Sequence, residues 1–165
     1  MQTDAILLNL DGTIIDSTAI AALRDEGQWR DCTANIHTTR CFPYVERVLS
    51  RLNEKGVRVG VVTSSVTSYA ERVLKHHRIR ADALIAYHDV RPHKPHPAPV
   101  LACLRQLKME PESAVGIGDT ADDCEAYLAA GIRALGAGWN EDCNRAANWH
   151  AVLTTPVHLL DYVYR

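Results

Sequence analysis

The sequence predicts an α/β protein: a doubly wound, Rossmann-like parallel sheet with helices on both faces and a minimal helical insert. Three observations carry that expectation. Short apolar runs, rich in Val, Ile and Leu, recur along the chain, as expected of strands buried on both faces. Stretches with helical apolar spacing separate them. Polar, acidic or hydroxyl-bearing residues follow several of the runs, where such sheets place their ligands.

The first strand is expected over residues 5–10, with Ser17 placed to cap a helix reaching about residue 26. Residues 28–42 read as polar and irregular. Pro43 suits a helix's first turn, and Val45, Val48, Leu49 and Leu52 form a stripe ending at a left-handed Gly56. A second strand covers 57–62 and runs into Thr63-Ser64-Ser65. Ala70, Val73, Leu74 and His77 mark the next helix, and 83–87 a third strand. Pro97 opens a helix with Val100, Leu101, Leu104 and Leu107 inward. A fourth strand at 114–117 leads to Gly118-Asp119 and a helix over 121–130, stopped by Gly131. Strands at 132–135 and 151–153 and a closing helix at 156–164 complete the pattern. Right-handed crossovers restrict this order to a doubly wound sheet.

With 165 residues, 47% apolar and 23% charged, the chain suits one globular domain with one core. No apolar run approaches the ~20 residues of a membrane span. The opening MQTDAILLNL lacks the basic start and cleavage site of a signal peptide, so a cytoplasmic location is expected. A net charge of −2 supplies no general attraction to nucleic acid. Five cysteines, an odd number without a CxxC, predict free thiols. Cys32, His37 and Cys41 lack a fourth zinc ligand at typical spacing.

Taken singly, each polar cluster has an ordinary reading. Asp-Gly-Thr at 11–13 makes a turn, Thr63-Ser64-Ser65 caps a helix, Lys94 is a solvated loop residue, and GDTADD favours a helix dipole. Together, at strand ends, they suggest one site. Asp119 and Asp123, with oxygens from the first strand's end, form the hard oxygen set that Mg2+ prefers. Thr63 and Lys94 supply a donor and a positive charge for phosphate.

These motifs resemble those of the haloacid dehalogenase superfamily of phosphohydrolases. "LLNLDGTIID" matches its first motif, DxDGTxxD, except that Asn9 stands at the first Asp. "VGVVTSS" looks like the second with Thr63, "HKPHP" the third with Lys94, and "VGIGDTADDCEAYLAAG" the fourth with Asp119 and Asp123. The motifs occur in order along the whole chain. The resemblance implies a magnesium-dependent phosphatase acting on a phosphorylated substrate through an aspartyl-phosphate. The attacking position would be Asn9 and the general acid/base Asp11. Gly12, Thr63, Ser64 and Lys94 would surround the phosphoryl group. Asn9, the Asp11 backbone carbonyl and Asp119 would face the metal, with Asp123 as a further ligand or as support behind them.

An amide oxygen is a poor nucleophile, so covalent turnover should fail or be very weak. Asn9 then reads as an engineered substrate trap, as a natural binding site without turnover, or as the mark of a residual route using water; the first is preferred because every other motif position is intact. The alternative function is a non-catalytic phosphate-binding or regulatory module. Residues 17–42 leave room for one helix and a loop, a minimal cap over an open site that admits a large substrate. Neither the cap lysine of phosphonate hydrolases nor the closing cap of sugar phosphomutases is visible. Arg24, Arg30, Arg40, Arg91, His93 and His96 read equally as scattered surface cations or as charge near the phosphate. Trp29 is expected to pack over the core.

Overall fold

A computed structural model describes residues 3–163. Its elements in chain order begin with strands β1 (Ala5–Leu8), β2 (Ile15–Asp16) and β3 (Arg40–Cys41); helices α1 (Ala21–Asp25) and α2 (Trp29–Ala34) lie between β2 and β3. Next come α3 (Val45–Glu54), β4 (Arg58–Val62), α4 (Thr67–His76), β5 (Ala83–Ile85) and α5 (Ala98–Leu107). The chain continues through β6 (Ala114–Gly118), α6 (Ala121–Ala129), β7 (Arg133–Ala137), β8 (Ala151–Leu153) and α7 (Leu159–Val163).

Six strands form one sheet in the order β5-β4-β1-β6-β7-β8, every pair parallel. The chain grows outward from β1 through β4 to β5, then returns to the other side of β1 with β6. The strand order therefore reverses at β1, and the loops after β1 and β6 part there, which is where such sheets bind ligands. The expected doubly wound sheet is the observed one.

The alternation of β1 builds both halves of the core. Ile6 and Leu8 enter the apolar layer with α3, α4 and the 17–42 segment. Ala5 and Leu7 enter the layer with α5 and α6. All four residues are fully buried, so nothing polar is tolerated along the strand before Asn9. Gly116 lets β6 approach α6, because a Cβ there would enter the Tyr127 ring.

Several local expectations differ from the structure. The first strand stops at Leu8 rather than 10, because the Leu10 carbonyl collects the N–H groups of Thr13, Ile14 and Ile15 and closes a tight loop. Ser17 caps no helix; its hydroxyl is used elsewhere. The segment 28–42 is not irregular: α2 is followed by a 3-10 turn, Ile36–Thr38, and by β3, which pairs antiparallel with β2. Helix α3 begins two residues after Pro43, behind Tyr44 in the left-handed region (φ 68°). Cys103 rather than Leu101 takes the fully buried place on α5. The closing segment is a 3-10 turn, Pro156–His158, then α7; residue 164 lies outside the described residues.

Candidate active site

The site gathers at the carboxyl ends of β1, β4 and β6, around a cavity of about 400 Å³. Asn9, Asp11 and Gly12 enter from the loop after β1. Thr63, Ser64 and Ser65 enter after β4, Lys94 from the loop before α5, and Asp119 and Asp123 after β6. All eight residues expected from the sequence line this one cavity.

Lys94 ties three of these loops together. Its Nζ donates to Asp123 Oδ1 at 2.6 Å, to the Val62 carbonyl at 3.0 Å and to Asn9 Oδ1 at 3.2 Å. The ion pair with Asp123 is nearly dry, the two side chains being 5% and 1% exposed. The second Asp123 oxygen accepts the backbone N–H groups of Asp119 and Thr120, and Thr120 closes a capping box at the start of α6. Asp123 therefore has both oxygens engaged: it anchors the lysine and the helix start.

Asn9 is 8% exposed, and its amide is bonded at both ends. Nδ2 donates to Asp119 Oδ1 and to the Asp11 carbonyl, both at 2.9 Å, while Oδ1 receives Lys94. Asp119 Oδ1 also accepts from the Thr13 hydroxyl at 2.9 Å. Burial, followed by the neighbouring Asp123 charge, pushes the Asp119 carboxyl up to about 6, against the opposing bonds from Asn9 and Thr13 and the Lys94 charge. Gly12, at φ 85°, sits against this carboxylate, where a Cβ would strike it.

The Asp11 carboxylate is bonded away from Asn9. Oδ1 accepts from Ser17 and Tyr69 at 2.7 Å each, and Oδ2 from Ser65 at 2.8 Å. Arg24 Nε lies 3.7 Å from Oδ1, too far for a hydrogen bond but near enough to balance the charge, and this nitrogen is buried with no hydrogen-bond partner. Tyr69 is fully buried; desolvation and the adjacent carboxylate keep its phenol protonated. Trp29 packs its ring on Tyr69 with centroids 5.6 Å apart, as expected of a core contact.

Thr63 Oγ1 accepts the Ser65 N–H at 3.0 Å, which leaves its own hydrogen to donate, and Ser64 is exposed at the rim. The loop after β7 braces the first loop: Trp139 donates to the Thr13 carbonyl and Asn140 to the Gly12 carbonyl. Of the six cations weighed from the sequence, Arg24 lines the cavity; Arg30, Arg40, Arg91, His93 and His96 do not. His93 stacks on Tyr87 instead, with centroids 4.1 Å apart.

The four groups expected around magnesium do not fit the ion as they are arranged. The Asn9 NH2 points at Asp119 and the Asp11 carbonyl, and both Asp123 oxygens are occupied. Among the described residues, no group of three or more His, Cys, Asp and Glu side chains is placed to hold a metal. The cavity itself is acidic: Asp11, Asp16, Asp119, Asp122, Asp123 and Asp142 line it against Arg24 and Lys94.

The sequence missed the ring around Asp11, formed by Ser17, Arg24, Ser65 and Tyr69, and the brace from Trp139 and Asn140. Arg24 alone carried a signal, as a cation in the insert. The others have generic sequence signatures, and their roles arise from contacts between distant segments.

Comparison with known proteins places this geometry. PpaX of Caldanaerobacter subterraneus, named as a candidate pyrophosphatase, is 35% identical over 116 residues, covering 68% of this chain and 53% of that protein. The chain thus spans about half the length of the curated relatives it matches. The crystal structure of a candidate phosphoglycolate phosphatase from Lactobacillus plantarum superposes with a TM-score of 0.86 at 20% identity, covering 98% of this chain and 100% of that one. An Asp-to-Asn variant of CbbY from Rhodobacter sphaeroides, in complex with xylulose-1,5-bisphosphate, superposes at 0.81 with 19% identity, covering 98% and 99%. No helix among the described residues is long and apolar enough to cross a membrane. The family profile described as haloacid dehalogenase-like hydrolase matches residues 21–137, and the chain belongs to that family.

Proposed function

We propose that the chain is a one-domain phosphate-monoesterase scaffold with residues 17–42 as a minimal cap, and that Asn9 leaves it able to hold a phosphate ester with little or no turnover. The observation that carries this reading is the bond from Lys94 to Asn9, at the ends of three strand loops. It brings the residue that would grip a phosphoryl oxygen to the position from which attack would come.

In the intact scheme a carboxylate at position 9 attacks phosphorus. The P–O bond to the alcohol breaks, and Asp11 gives its proton to the leaving oxygen. Asp11 then takes a proton from water as that water attacks the phosphoryl-carboxylate, returning free phosphate. Thr63 and Lys94 hold the phosphoryl oxygens throughout. Asn9 lacks the anionic oxygen for the first step. Magnesium is the cofactor expected of the intact scaffold. The CbbY variant, holding a bisphosphate with Asn in place of an Asp, supports reading Asn9 as a trapping replacement.

The cavity and its acidic lining favour a small ester with an uncharged or lightly charged tail over a polyanion such as nucleic acid. Relatives named for pyrophosphate and phosphoglycolate hydrolysis agree with a small substrate. The test is a paired assay of the parent and Asn9→Asp with magnesium, p-nitrophenyl phosphate, pyrophosphate, phosphoglycolate and sugar phosphates. Asn9→Asp should release phosphate about 10³-fold faster or more. No gain on any of these esters overturns the phosphatase reading. One observation favours the alternative, a natural non-catalytic phosphate-binding module: Asn9 is fully bonded in place. That reading predicts phosphate-ester binding by the parent and silence from both forms in the assay.

A further inference from the structure

We infer that the Asn9 amide replaces the divalent cation of this site, so that the chain as it stands is assembled without Mg2+ and binds it weakly. The inference rests on the same site as the proposed function, but it concerns the cation rather than the ester.

The oxygen and nitrogen ends of an amide are nearly alike in shape, so its orientation is set by its partners. Here they decide it. Nδ2 faces two acceptors, Asp119 Oδ1 and the Asp11 carbonyl, each at 2.9 Å, and Oδ1 faces the Lys94 ammonium at 3.2 Å. A half-turn would set the amide oxygen against a carboxylate and a carbonyl, and the NH2 against a cation. All three contacts would become repulsive in a place that water barely reaches.

The two acceptors that Nδ2 joins are those expected to bind magnesium: the Asp119 carboxylate and the backbone carbonyl of Asp11. The amide hydrogens supply the positive ends that a cation would bring. Asp123, expected as a ligand or as outer support, is committed to Lys94 and to two backbone N–H groups. Asp119 Oδ2 accepts no hydrogen bond among the described residues, but for Mg2+ to take Oδ1 and the Asp11 carbonyl together the NH2 between them must turn away, and the amide oxygen must leave Lys94 to become a ligand. An ion that needs near-octahedral oxygen coordination and dehydrates reluctantly gains little against that loss.

Asn9→Asp reverses the balance. It places a second carboxylate where the NH2 now meets Asp119. Two like charges at that separation, in a part-buried site, need either a proton or a cation between them. The variant should therefore depend on the metal that the parent does without.

The experiment is thermal unfolding with a parallel calorimetric titration of Mg2+, on the parent, Asn9→Asp and Asn9→Ala. The parent should melt within about 1 °C in EDTA and in millimolar Mg2+. Asn9→Asp should melt lower than the parent in EDTA and gain about 5 °C or more with Mg2+. Asn9→Ala, which removes the NH2 without adding charge, should bind Mg2+ about tenfold tighter than the parent and serves if Asn9→Asp does not fold. Submillimolar Mg2+ binding by the parent, or a parent melting shift equal to that of Asn9→Asp, overturns the inference. Metal gain by Asn9→Asp without phosphate release would leave this inference standing and sink the phosphatase reading.

Discussion

Lys94→Met tests whether the site is held together by charge or only lined by it. Methionine keeps most of the stem and deletes the ammonium. Asp123 would keep its two backbone N–H donors but lose the 2.6 Å ion pair, at a side chain only 1% exposed. Asn9 Oδ1 and the Val62 carbonyl would each lose a donor as well. Removing one partner of a buried pair costs about 3–5 kcal/mol, chiefly because the other charge is stranded. The backbone donors retained by Asp123 put the expectation near the lower end, about 3 kcal/mol. For a chain of this size that is a fall of about 6–12 °C in melting temperature.

Urea unfolding followed by far-ultraviolet circular dichroism would measure this on the parent, Lys94→Met, Asp123→Asn and the double variant. Asparagine at 123 can still accept from the Asp119 and Thr120 backbones. The double variant should therefore cost about 2 kcal/mol less than the sum of the singles. That coupling should persist at high salt, because the pair is shielded from mobile ions. A Lys94→Met cost below about 1 kcal/mol, with the singles adding to within about 0.5 kcal/mol, would refute the reasoning. Lys94 would then be a free cation waiting for ligand rather than a structural tie between loops.

Two further outcomes follow from groups near the insert. Tyr69→Phe deletes a 2.7 Å donor to Asp11 from a fully buried ring and should cost about 2 kcal/mol by urea midpoint; a neutral result would mean that Ser17 and Ser65 satisfy Asp11 unaided. His77 has its ring Nε2 2.8 Å from Thr39 Oγ1, and burial lowers its pKa from 6.5, so the folded state prefers the neutral ring. The unfolded chain then binds the extra proton, so this contribution is full above the unfolded value and is lost as pH falls through it toward the folded one. His77→Gln should flatten the fall in stability as pH drops below about 6.5, and an unchanged slope would assign it to other groups.

What the sequence revealed depended on how locally each feature is encoded. Strands flanked by helices announce themselves through period and punctuation, so β1, β4 and β6 and the loops after them were legible to within a few residues. The site positions were legible for the same reason, since most are the polar residues that follow an apolar run. The segment 28–42 was not. Helix α2 buries only Cys32, and β2 and β3 are two residues each, too short to show any period. Ser17 misled because a serine before a helix looks like a cap whether or not its hydroxyl is free to act as one. Its true partner, Asp11, is fixed by tertiary packing. Ser65 and Tyr69 lie 54 and 58 residues from Asp11, and no sequence window joins them.

The carboxylate of Asp11 and the amide of Asn9, two residues apart, are held by different partners, and the insert reaches only the first. Asp11 is bonded to Ser17 at the start of the insert and to Ser65 and Tyr69 after β4, with Arg24 of α1 nearby. On the proposed reading, Asp11 would have to surrender at least one of those hydroxyl bonds to give a proton to a leaving group, and of the three partners Ser17 belongs to the insert. Trp29 on Tyr69 links α2 to the same ring of contacts. The Asn9 side chain is bonded to groups of the central loops, through Asp119, Lys94 and the Asp11 backbone. A ligand that pushed on the insert would therefore perturb the bonds around Asp11 before it touched Asn9. A change at Asn9 would act on the Lys94–Asp119 side and leave the Asp11 ring in place. The two side chains are held by different parts of the fold. On the phosphatase reading proposed above, a single replacement at position 9 would therefore leave the rest of the site assembled.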